Sequence, residues 1–273
     1  MSNTRVNRLH YIVLAFMALT FLTPLVWIVV ASLDPNASDA LKAPLSVTIG
    51  NYVSVLTNAD NLKAYGVGFA ISFVESLLVV VLSCLAAYPL SRYRLSYKKA
   101  FMNIILFMTA LPMIAVIVPV YKMYLSLGML DSLWGVILYL SAASLPYGIW
   151  LMKNFMDAVP AELEEAAWVD GATTMTSIRK VVLPLMFPGI CTVFIYTFSK
   201  SWGNFFVPFI LLSSADKLPA SVKLYQFFGQ YGLIDYGPLA AYSIIYTLPS
   251  VLLYVLSQNY MSKGFSLSGA AKG

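Results

Sequence analysis

Long apolar stretches separated by short polar segments limit the folds that are open to this chain. A helix needs about 20 mostly apolar residues to cross a bilayer, because each residue adds about 1.5 Å and the hydrocarbon core is about 30 Å thick. Six stretches meet this requirement, at about residues 9–32, 65–90, 100–124, 133–155, 183–212 and 238–260. The pattern predicts an all-α, polytopic membrane protein whose six transmembrane helices form a single domain over residues 1–273.

The composition extends this interpretation to the whole chain. Hydrophobic residues make up 60% of the sequence and charged residues only 11%, whereas a soluble domain carries about 25% charged residues. The first stretch follows Arg5 and Arg8, as a signal peptide would. A signal peptide has an apolar core of about 7–15 residues, so we expect this longer stretch to be a retained membrane anchor.

The distribution of basic residues predicts the orientation, since cytosolic segments carry an excess of Lys and Arg. With the N-terminus in the cytosol, the cytosolic segments collect Arg5, Arg8, Arg92, Arg94, Lys98, Lys99, Lys153, Arg179, Lys180, Lys263 and Lys272, which are eleven of the 17 basic residues. The opposite orientation would place these residues outside. We therefore expect both termini to be cytosolic, and we interpret the net charge of +5 as a topology signal rather than a nucleic-acid site.

Two prolines, Pro112 and Pro119, lie within the third stretch. A proline has no amide hydrogen, and its ring crowds the carbonyl one turn earlier. Membrane helices tolerate this defect where neighbouring helices or cavity water satisfy the freed carbonyl. We expect kinks at these positions.

The polar segment at residues 156–182 separates the fourth and fifth stretches and carries five acids. Pro160 suits the first position of a helix, and acids that follow it face the positive end of the helix dipole. Gly171 predicts a left-handed helix end, and Thr173 or Thr174 suits the cap of a second helix. The segment is therefore predicted to form a helix, a tight bend and a second helix in the cytosol.

The order of residues in this segment resembles the EAA loop of the permeases of bacterial ABC importers. That loop has Glu-Ala-Ala, two residues, Asp-Gly-Ala, and later Leu-Pro and Pro; the matching positions are Glu165, Ala166, Ala167, Asp170, Gly171, Ala172, Leu183, Pro184 and Pro188. Ile178 departs from the family, which often has Phe there. The resemblance implies a coupling helix that docks, through these residues and the adjacent Glu164, on a separate ATP-hydrolysing subunit and passes its closure to the membrane helices.

Three further segments resemble the carbohydrate permeases of the same family. Residues 86–92 look like the end of the second span, and residues 202–206 resemble a Trp-Asn-x-Phe signature with Gly203 inserted. Residues 264–273 look like the tail of maltose and multiple-sugar permeases. The resemblance implies a multi-pass protein of the bacterial inner membrane that carries a carbohydrate, whether a sugar, an oligosaccharide or a polyol-type solute. Its expected partners are a second, homologous permease, an ATPase dimer that binds ATP and Mg, and an extracytoplasmic solute-binding protein.

Two ionisable residues lie inside the predicted spans, Glu75 near the middle of the second and Lys200 near the middle of the fifth. Charged groups at that depth normally face a cavity or a partner. Related permeases usually have Asn at the position of Glu75. We expect either that Glu75 and Lys200 pair across the helices or that one of them lines the solute path, together with Trp202 and Asn204. Independent contacts with water or the membrane interface remain open.

Aromatic side chains offer a further route to sugar recognition, because sugars stack on aromatic faces. The candidates are Tyr121, Tyr196, Trp202, Phe205 and Phe206. Such residues more often pack between helices or lie at the membrane interface, so the sequence alone assigns none of them to the solute.

Enzymatic chemistry has little support in the sequence. There is no Gly-x4-Gly-Lys-Ser/Thr phosphate loop and no plausible Ser/His/Asp or Cys/His set. Cys84 and Cys191 both lie in apolar stretches and His10 is the single histidine, so neither a disulfide framework nor a metal site is expected. We expect a transport permease without a cofactor of its own.

Three alternatives to a carbohydrate importer remain open from the sequence. The first is a secondary transporter driven by an ion gradient, with Glu75 as a proton carrier. The second is an ABC permease for a solute such as glycerol phosphate. The third is a membrane scaffold that transports nothing.

Overall fold

A computed structural model describes residues 3–40, 42, 44–227 and 234–270, with side chains for all of these except residues 3–7, 9 and 259–270. The regular elements of the described residues are helices. Their bounds are α1 Asn3–Ser32, α2 Gly50–Thr57, α3 Ala59–Arg92, α4 Lys98–Thr109, α5 Met113–Leu127, α6 Leu133–Asp157, α7 Glu162–Val169, α8 Thr174–Ser177, a π-helical turn Ile178–Val182, α9 Leu183–Trp202, α10 Phe206–Leu211, a 3₁₀ turn Ala215–Lys217, α11 Ala220–Tyr225 and α12 Tyr236–Ala270.

Five helical segments of the described chain are long and apolar enough to cross a membrane: His10–Ser32, Ala59–Arg92, Leu133–Asp157, Thr174–Trp202 and Tyr236–Gln258. Helices α4 and α5 meet the same criterion only when they are taken together, and they are bent by 92° relative to each other. The structure therefore confirms the predicted fold class, an all-α polytopic membrane protein.

The third predicted span, at residues 100–124, is broken in two. Pro112 precedes α5 with extended backbone angles, φ −69° and ψ 126°. A proline also pushes the residue before it away from helical angles, so α4 stops before this point and α5 starts in a new direction. Pro119 lies inside α5, which continues past it. The kink expected at Pro112 is thus a full break, whereas Pro119 does not end its helix.

The fifth predicted span, at residues 183–212, differs from the structure at both ends. The helix begins at Thr174, because α8 runs through the π-helical turn into α9 without a break, and it ends at Trp202. Residues 203–205 then separate α9 from the short helix α10. The apolar run of the sequence continues through this separation, which is why the sequence alone placed one helix there.

The described residues belong to two compact units, Met1–Tyr65 with Val222–Leu248 and Gly66–Ser221 with Pro249–Gly273. In the first unit, the Asn51 amide donates hydrogen bonds to the carbonyls of Ser32 at 3.1 Å and Asp34 at 2.9 Å. The rings of Tyr65 and Tyr242 stack with centroids 4.7 Å apart. These contacts join the ends of α1, α2, α3 and α12 within that unit.

The second unit contains two apolar clusters. One joins α5, α6 and α10, with Val136 and Val207 fully buried. The other joins α3, α6 and α9, with Val79, Met152 and Val193 fully buried. These clusters fix the positions of α3, α6 and α9, the three helices that carry the candidate site.

A turn on the surface of the second unit is held by Asp131. Its carboxylate accepts hydrogen bonds from the backbone amides of Ser213 and Ser214, both at 3.0 Å, and from the Lys217 ammonium at 2.8 Å. The Lys217 and Ser214 hydrogen bonds hold the pKa of the Asp131 carboxyl well below its usual range. A lowered pKa means that the contribution of this contact is present above about pH 4 and is lost only as the pH falls further.

Helices α6 and α9 approach closely at Gly189, which is buried. A Cβ atom at this position would lie 2.6 Å from Cγ and 2.7 Å from Cβ of Phe155. The Phe155 Cβ is attached directly to the backbone of α6, so it cannot move away unless the helix moves. Small residues at such crossings let membrane helices come into contact.

We predict that Gly189→Ala lowers the stability of the permease by about 1–3 kcal/mol, the usual cost of overpacking a filled interior. The measurement is the apparent Tm in detergent. Gly66→Ala is the matched control, because Gly66 is also helical and a Cβ there would meet nothing within 4 Å. An equal Tm for the two variants would contradict the close packing of α6 and α9.

Candidate functional site

The coupling segment, which we define as residues 156–182, has the predicted form of helix, bend and helix. Helix α7 has Glu162, Glu164 and Glu165 in its first turn, where negative charge is favoured by the helix dipole. Gly171 has a φ of +84°, the left-handed conformation expected of it. The amide of Ala172 bonds the carbonyl of Ala167 at 2.9 Å, and this bond closes the helix end in the manner of a Schellman motif.

The second half of the segment continues directly into the membrane helix. The Thr173 hydroxyl caps α8 by accepting a hydrogen bond from the amide of Thr176 at 3.3 Å. The π-helical turn Ile178–Val182 follows and leads into α9. Pro184 offers no amide hydrogen to the carbonyl of Lys180, and a widened turn accommodates such a defect. The bend and the membrane helix are therefore parts of one continuous element.

A buried ion pair fixes α7 to α3. The Arg92 guanidinium pairs with Oε1 of Glu164, whose side chain is 2% exposed. Tyr88 donates a hydrogen bond to Oε2 of Glu164 at 3.0 Å, and Nη2 of Arg92 donates to the carbonyl of Val159 at 3.0 Å. Both oxygens of the carboxylate and two nitrogens of the guanidinium are thus satisfied, which offsets the cost of removing the two charges from water.

A second polar contact joins α3 and α6 beside this pair. The Ser91 hydroxyl donates a hydrogen bond to Oδ1 of Asp157 at 2.6 Å. Lys153, which lies one helical turn before Asp157 on α6, forms an ion pair with the same carboxylate. Asp157 is the last residue of α6. The ends of α3 and α6 and the start of α7 are therefore linked by one network of charged and polar groups.

The residues predicted from the sequence to contact the ATPase subunit differ in their exposure. Glu165, Ala166, Asp170, Gly171 and Pro184 are exposed. Ala167, Ala172 and Leu183 are half-buried. Glu164 is buried, so in this conformation its carboxylate is held by Arg92 and Tyr88 and is closed to a partner.

The sequence did not assign roles to several residues that the structure brings to this segment. Four large apolar side chains are exposed on it: Val169 by 88%, Met175 by 56%, Leu163 by 45% and Trp168 by 44%. We call these four residues the apolar tip. The apolar tip could have been predicted from the sequence, because its apolar residues lie beside the polar residues of the Glu-Ala-Ala and Asp-Gly-Ala motif. The pairing of Arg92 with Glu164 had no local signal, because the two are 72 residues apart.

The intramembrane carboxyl of Glu75 lies in the core of the second unit. Its side chain is about 1% exposed, and the Ser144 hydroxyl of α6 donates to Oε1 at 3.0 Å. Oε2 forms no hydrogen bond of standard geometry within the described residues, but the buried Ser201 hydroxyl and the Lys200 ammonium, both on α9, interact with the carboxyl. A polar contact in the membrane interior thus joins α3 to α6.

Lys200 is not where the sequence placed it. Because α9 ends at Trp202, Lys200 lies in the last turn of the helix rather than in the middle of a span, and a cation there is favoured by the helix dipole. No ion pair joins Lys200 to Glu75 in the described structure. The ammonium instead lies 5.9 Å from the centroid of the Tyr196 ring, and the side chain is exposed.

Trp202 and Asn204 have structural contacts. Trp202 is buried and stacks on Phe198 with ring centroids 6.0 Å apart. Oδ1 of the Asn204 side chain accepts a hydrogen bond from the amide of Val207 at 3.0 Å, and the backbone carbonyl of Asn204 accepts one from the Ser221 hydroxyl at 2.9 Å. Asn204 thereby shapes the start of α10. Neither residue lines the two cavities that contain Lys200.

The described residues and their arrangement define a class of protein, the polytopic α-helical membrane protein with a helix–bend–helix segment between two spans. Comparison with known families makes the class specific. The chain belongs to the family of binding-protein-dependent transport system inner membrane components, which matches residues 79–264.

Individual relatives are similar over most of their length. A probable ABC transporter permease of Pyrococcus horikoshii is 30% identical, and the similarity covers 91% of this chain and 92% of the relative. The trehalose transport system permease SugB of Mycobacterium tuberculosis is 29% identical over 92% of this chain and 93% of its own. A solved bacterial ABC transporter involved in the import of the acidic polysaccharide alginate has a chain with the same fold, with a TM-score of 0.82, 22% identity and coverage of 95% and 98%.

We predict that Glu164→Ala destabilises the permease by about 3 kcal/mol, because it leaves the Arg92 guanidinium in a buried position without its counter-charge. The loss is measured as a lower apparent Tm in detergent and as faster hydrogen exchange of the α7 amides. Glu165→Ala is the matched control, since Glu165 is the next residue of the same helix and is exposed. If both variants lost the same stability, the ion pair would not be what holds α7.

Proposed function

We propose that this chain is the membrane-spanning subunit of an ATP-driven ABC importer that translocates a carbohydrate delivered by an external binding protein. The observation that carries the proposal is a coupling segment with an exposed apolar tip and a buried ionic attachment to α3. Family membership supports the transport role. The assignment of a carbohydrate as the solute is supported by the names of the relatives. They include the trehalose permease of Mycobacterium tuberculosis and a trehalose/maltose permease of Thermococcus litoralis, which is 29% identical over 94% of both chains.

The apolar tip is the surface proposed for the ATPase subunit. Exposed apolar patches rimmed by polar residues mark protein interaction sites, and the tip adjoins the exposed Glu165 and Asp170. ATP and Mg bind on that separate subunit, in keeping with the lack of a phosphate loop in this sequence. Two copies of the ATPase and a second, homologous permease complete the proposed assembly.

The proposed orientation places the coupling segment and both termini in the cytosol. The excess of Lys and Arg in the segments on that side supports this arrangement. The opposite face then receives solute from the binding protein. The chain is a multi-pass protein of the cytoplasmic membrane in this proposal.

Movement passes from the ATPase to the membrane helices along two connections. Closure of the ATPase dimer displaces α7, and the pair of Glu164 with Arg92 transmits the displacement to α3. The bend at Gly171 and the continuous helix Thr174–Trp202 transmit it to α9. The two permeases open outward to accept solute when ATP binds and return inward after hydrolysis.

A transporter driven by an ion gradient makes a different prediction. In that case the buried carboxyl of Glu75 would carry protons, and uptake would stop when an uncoupler removes the gradient. Uptake by the importer needs ATP and is insensitive to uncouplers. A scaffold would neither move solute nor stimulate an ATPase.

We predict that Val169→Glu prevents the ATPase subunit from copurifying and abolishes ATP-driven uptake in proteoliposomes, because it places a charge on the most exposed residue of the apolar tip. Val169 is 88% exposed, so the substitution leaves the folded chain undisturbed. Val47→Glu is the matched control: Val47 is 72% exposed and lies in the segment proposed to be external. Unchanged copurification and uptake with Val169→Glu would contradict the proposed docking surface.

The same two positions test the orientation. In a chain with Cys84 and Cys191 replaced by Ser, we expect Val169→Cys to react with an impermeant thiol reagent only from the cytosolic side. Val47→Cys should react only from outside. Labelling of Val169→Cys from the outside would remove the basis of the proposal, since no ATPase subunit lies there.

A further inference from the structure

Two adjoining cavities in the Gly66–Ser221 and Pro249–Gly273 unit share the same three side chains. The larger cavity has a volume of about 790 Å³ and the smaller one about 330 Å³. Tyr147, Tyr196 and Lys200 line both. The rings of Tyr147 and Tyr196 have centroids 4.5 Å apart, so an aromatic surface and an ammonium group lie side by side between the two cavities.

Lys200 is the single charged residue among the described side chains that line these cavities. The rest of the lining is aromatic, aliphatic or neutral and polar. Asn154, Thr192 and Ser199 of the larger cavity supply hydrogen-bonding groups without charge. Sites for small molecules commonly combine an apolar lining with a few polar groups that fix the orientation of the ligand.

The ammonium of Lys200 lies over the Tyr196 ring and interacts with the Glu75 carboxyl electrostatically at longer range, but it forms no ion pair within the described residues. No acid of the described residues lies within ion-pair distance of its ammonium group, although Asp131, Asp157 and Glu164 each have a basic partner. Glu75 faces the core and accepts its hydrogen bond from Ser144 on α6. An ionisable group in a membrane helix normally faces a cavity and has a partner of opposite charge. A direct anionic partner for Lys200 is therefore expected to arrive in the cavity.

We propose that the transported solute is an anionic carbohydrate, whose carboxylate, sulfonate or phosphate ester pairs with Lys200 while its ring packs on Tyr147 and Tyr196. This inference rests on the proposed import function and names the class of its substrate. Lys200 lies at the end of α9 opposite the coupling segment, so the pairing takes place on the side from which solute enters in the proposed orientation.

The test uses the complete importer with its own partner permease, ATPase and binding protein in proteoliposomes. The probes are a glucuronate-containing disaccharide, a sulfonated sugar and glucose 6-phosphate, each beside a neutral counterpart, with ATP-driven uptake as the readout. We compare kcat/KM for the transported anion with kcat/KM for its neutral counterpart. Lys200→Gln should lower the ratio of these two values about tenfold, because a hydrogen bond to a charged group usually contributes a factor of about this size. Lys200→Arg should retain the ratio. The three probes distinguish carboxylate, sulfonate and phosphate as the source of the charge.

Lys122→Gln is the matched control, because Lys122 is another exposed lysine of an apolar helix, α5, and lines neither cavity. It should leave uptake unchanged. Uptake of neutral sugars alone, or an equal loss for anionic and neutral solutes in Lys200→Gln, would overturn the anionic class while the import of carbohydrate stands. A lack of ATP-driven uptake for every carbohydrate, charged or neutral, would instead overturn the proposed function.

Discussion

The buried ion pair of Arg92 and Glu164 determines how the coupling segment is attached to the rest of the chain. Removing two charges from water costs several kcal/mol per ion, and the cost is offset here because Tyr88 and the carbonyl of Val159 complete the hydrogen bonding. Separating α7 from α3 would expose or isolate both charges at once. The first turn of α7 is therefore fixed to α3 through Glu164, whereas Trp168 and Val169 at its other end and Met175 beyond Gly171 are exposed.

Physical constraints explain which parts of the fold were predictable. The bilayer sets the length of a spanning helix, so apolar stretches of the right length predicted the fold class. The bend was predictable because few residues adopt the φ of Gly171. The break at Pro112 was harder, since a proline shows where a helical hydrogen bond is lost but not through what angle the chain turns. The end of α9 had a weak signal in Gly203 and Asn204, residue types that commonly end helices, but the largely apolar sequence from Trp202 to Leu212 concealed it.

The same limits apply to the candidate site. Glu164 and Glu165 are adjacent in sequence and identical in chemistry, and only the position of Arg92, brought from the end of α3, makes one buried and leaves the other exposed. Pairing of Glu75 with Lys200 rested on equal depth in the membrane. In the structure Lys200 lies in the last turn of α9 and forms no ion pair with Glu75 in the described residues, although its charge acts on that carboxyl. Sequence position indicated that the two groups are near each other, but it could not give the direction in which each side chain points.

One helix joins the two functional regions. The segment Thr174–Trp202 has 29 residues, begins directly after the bend of the coupling segment and has Lys200 in its last turn. At about 1.5 Å per residue, it is roughly 43 Å long, and a continuous hydrogen-bonded helix resists bending, so a displacement of its first turn also moves its last. Two departures from regular helical hydrogen bonding lie between them: the π-helical turn at Ile178–Val182, and Pro188, which offers no amide hydrogen to the carbonyl of Pro184. Both affected turns lie in the half of the helix next to the coupling segment, so local adjustment is expected there rather than near Lys200.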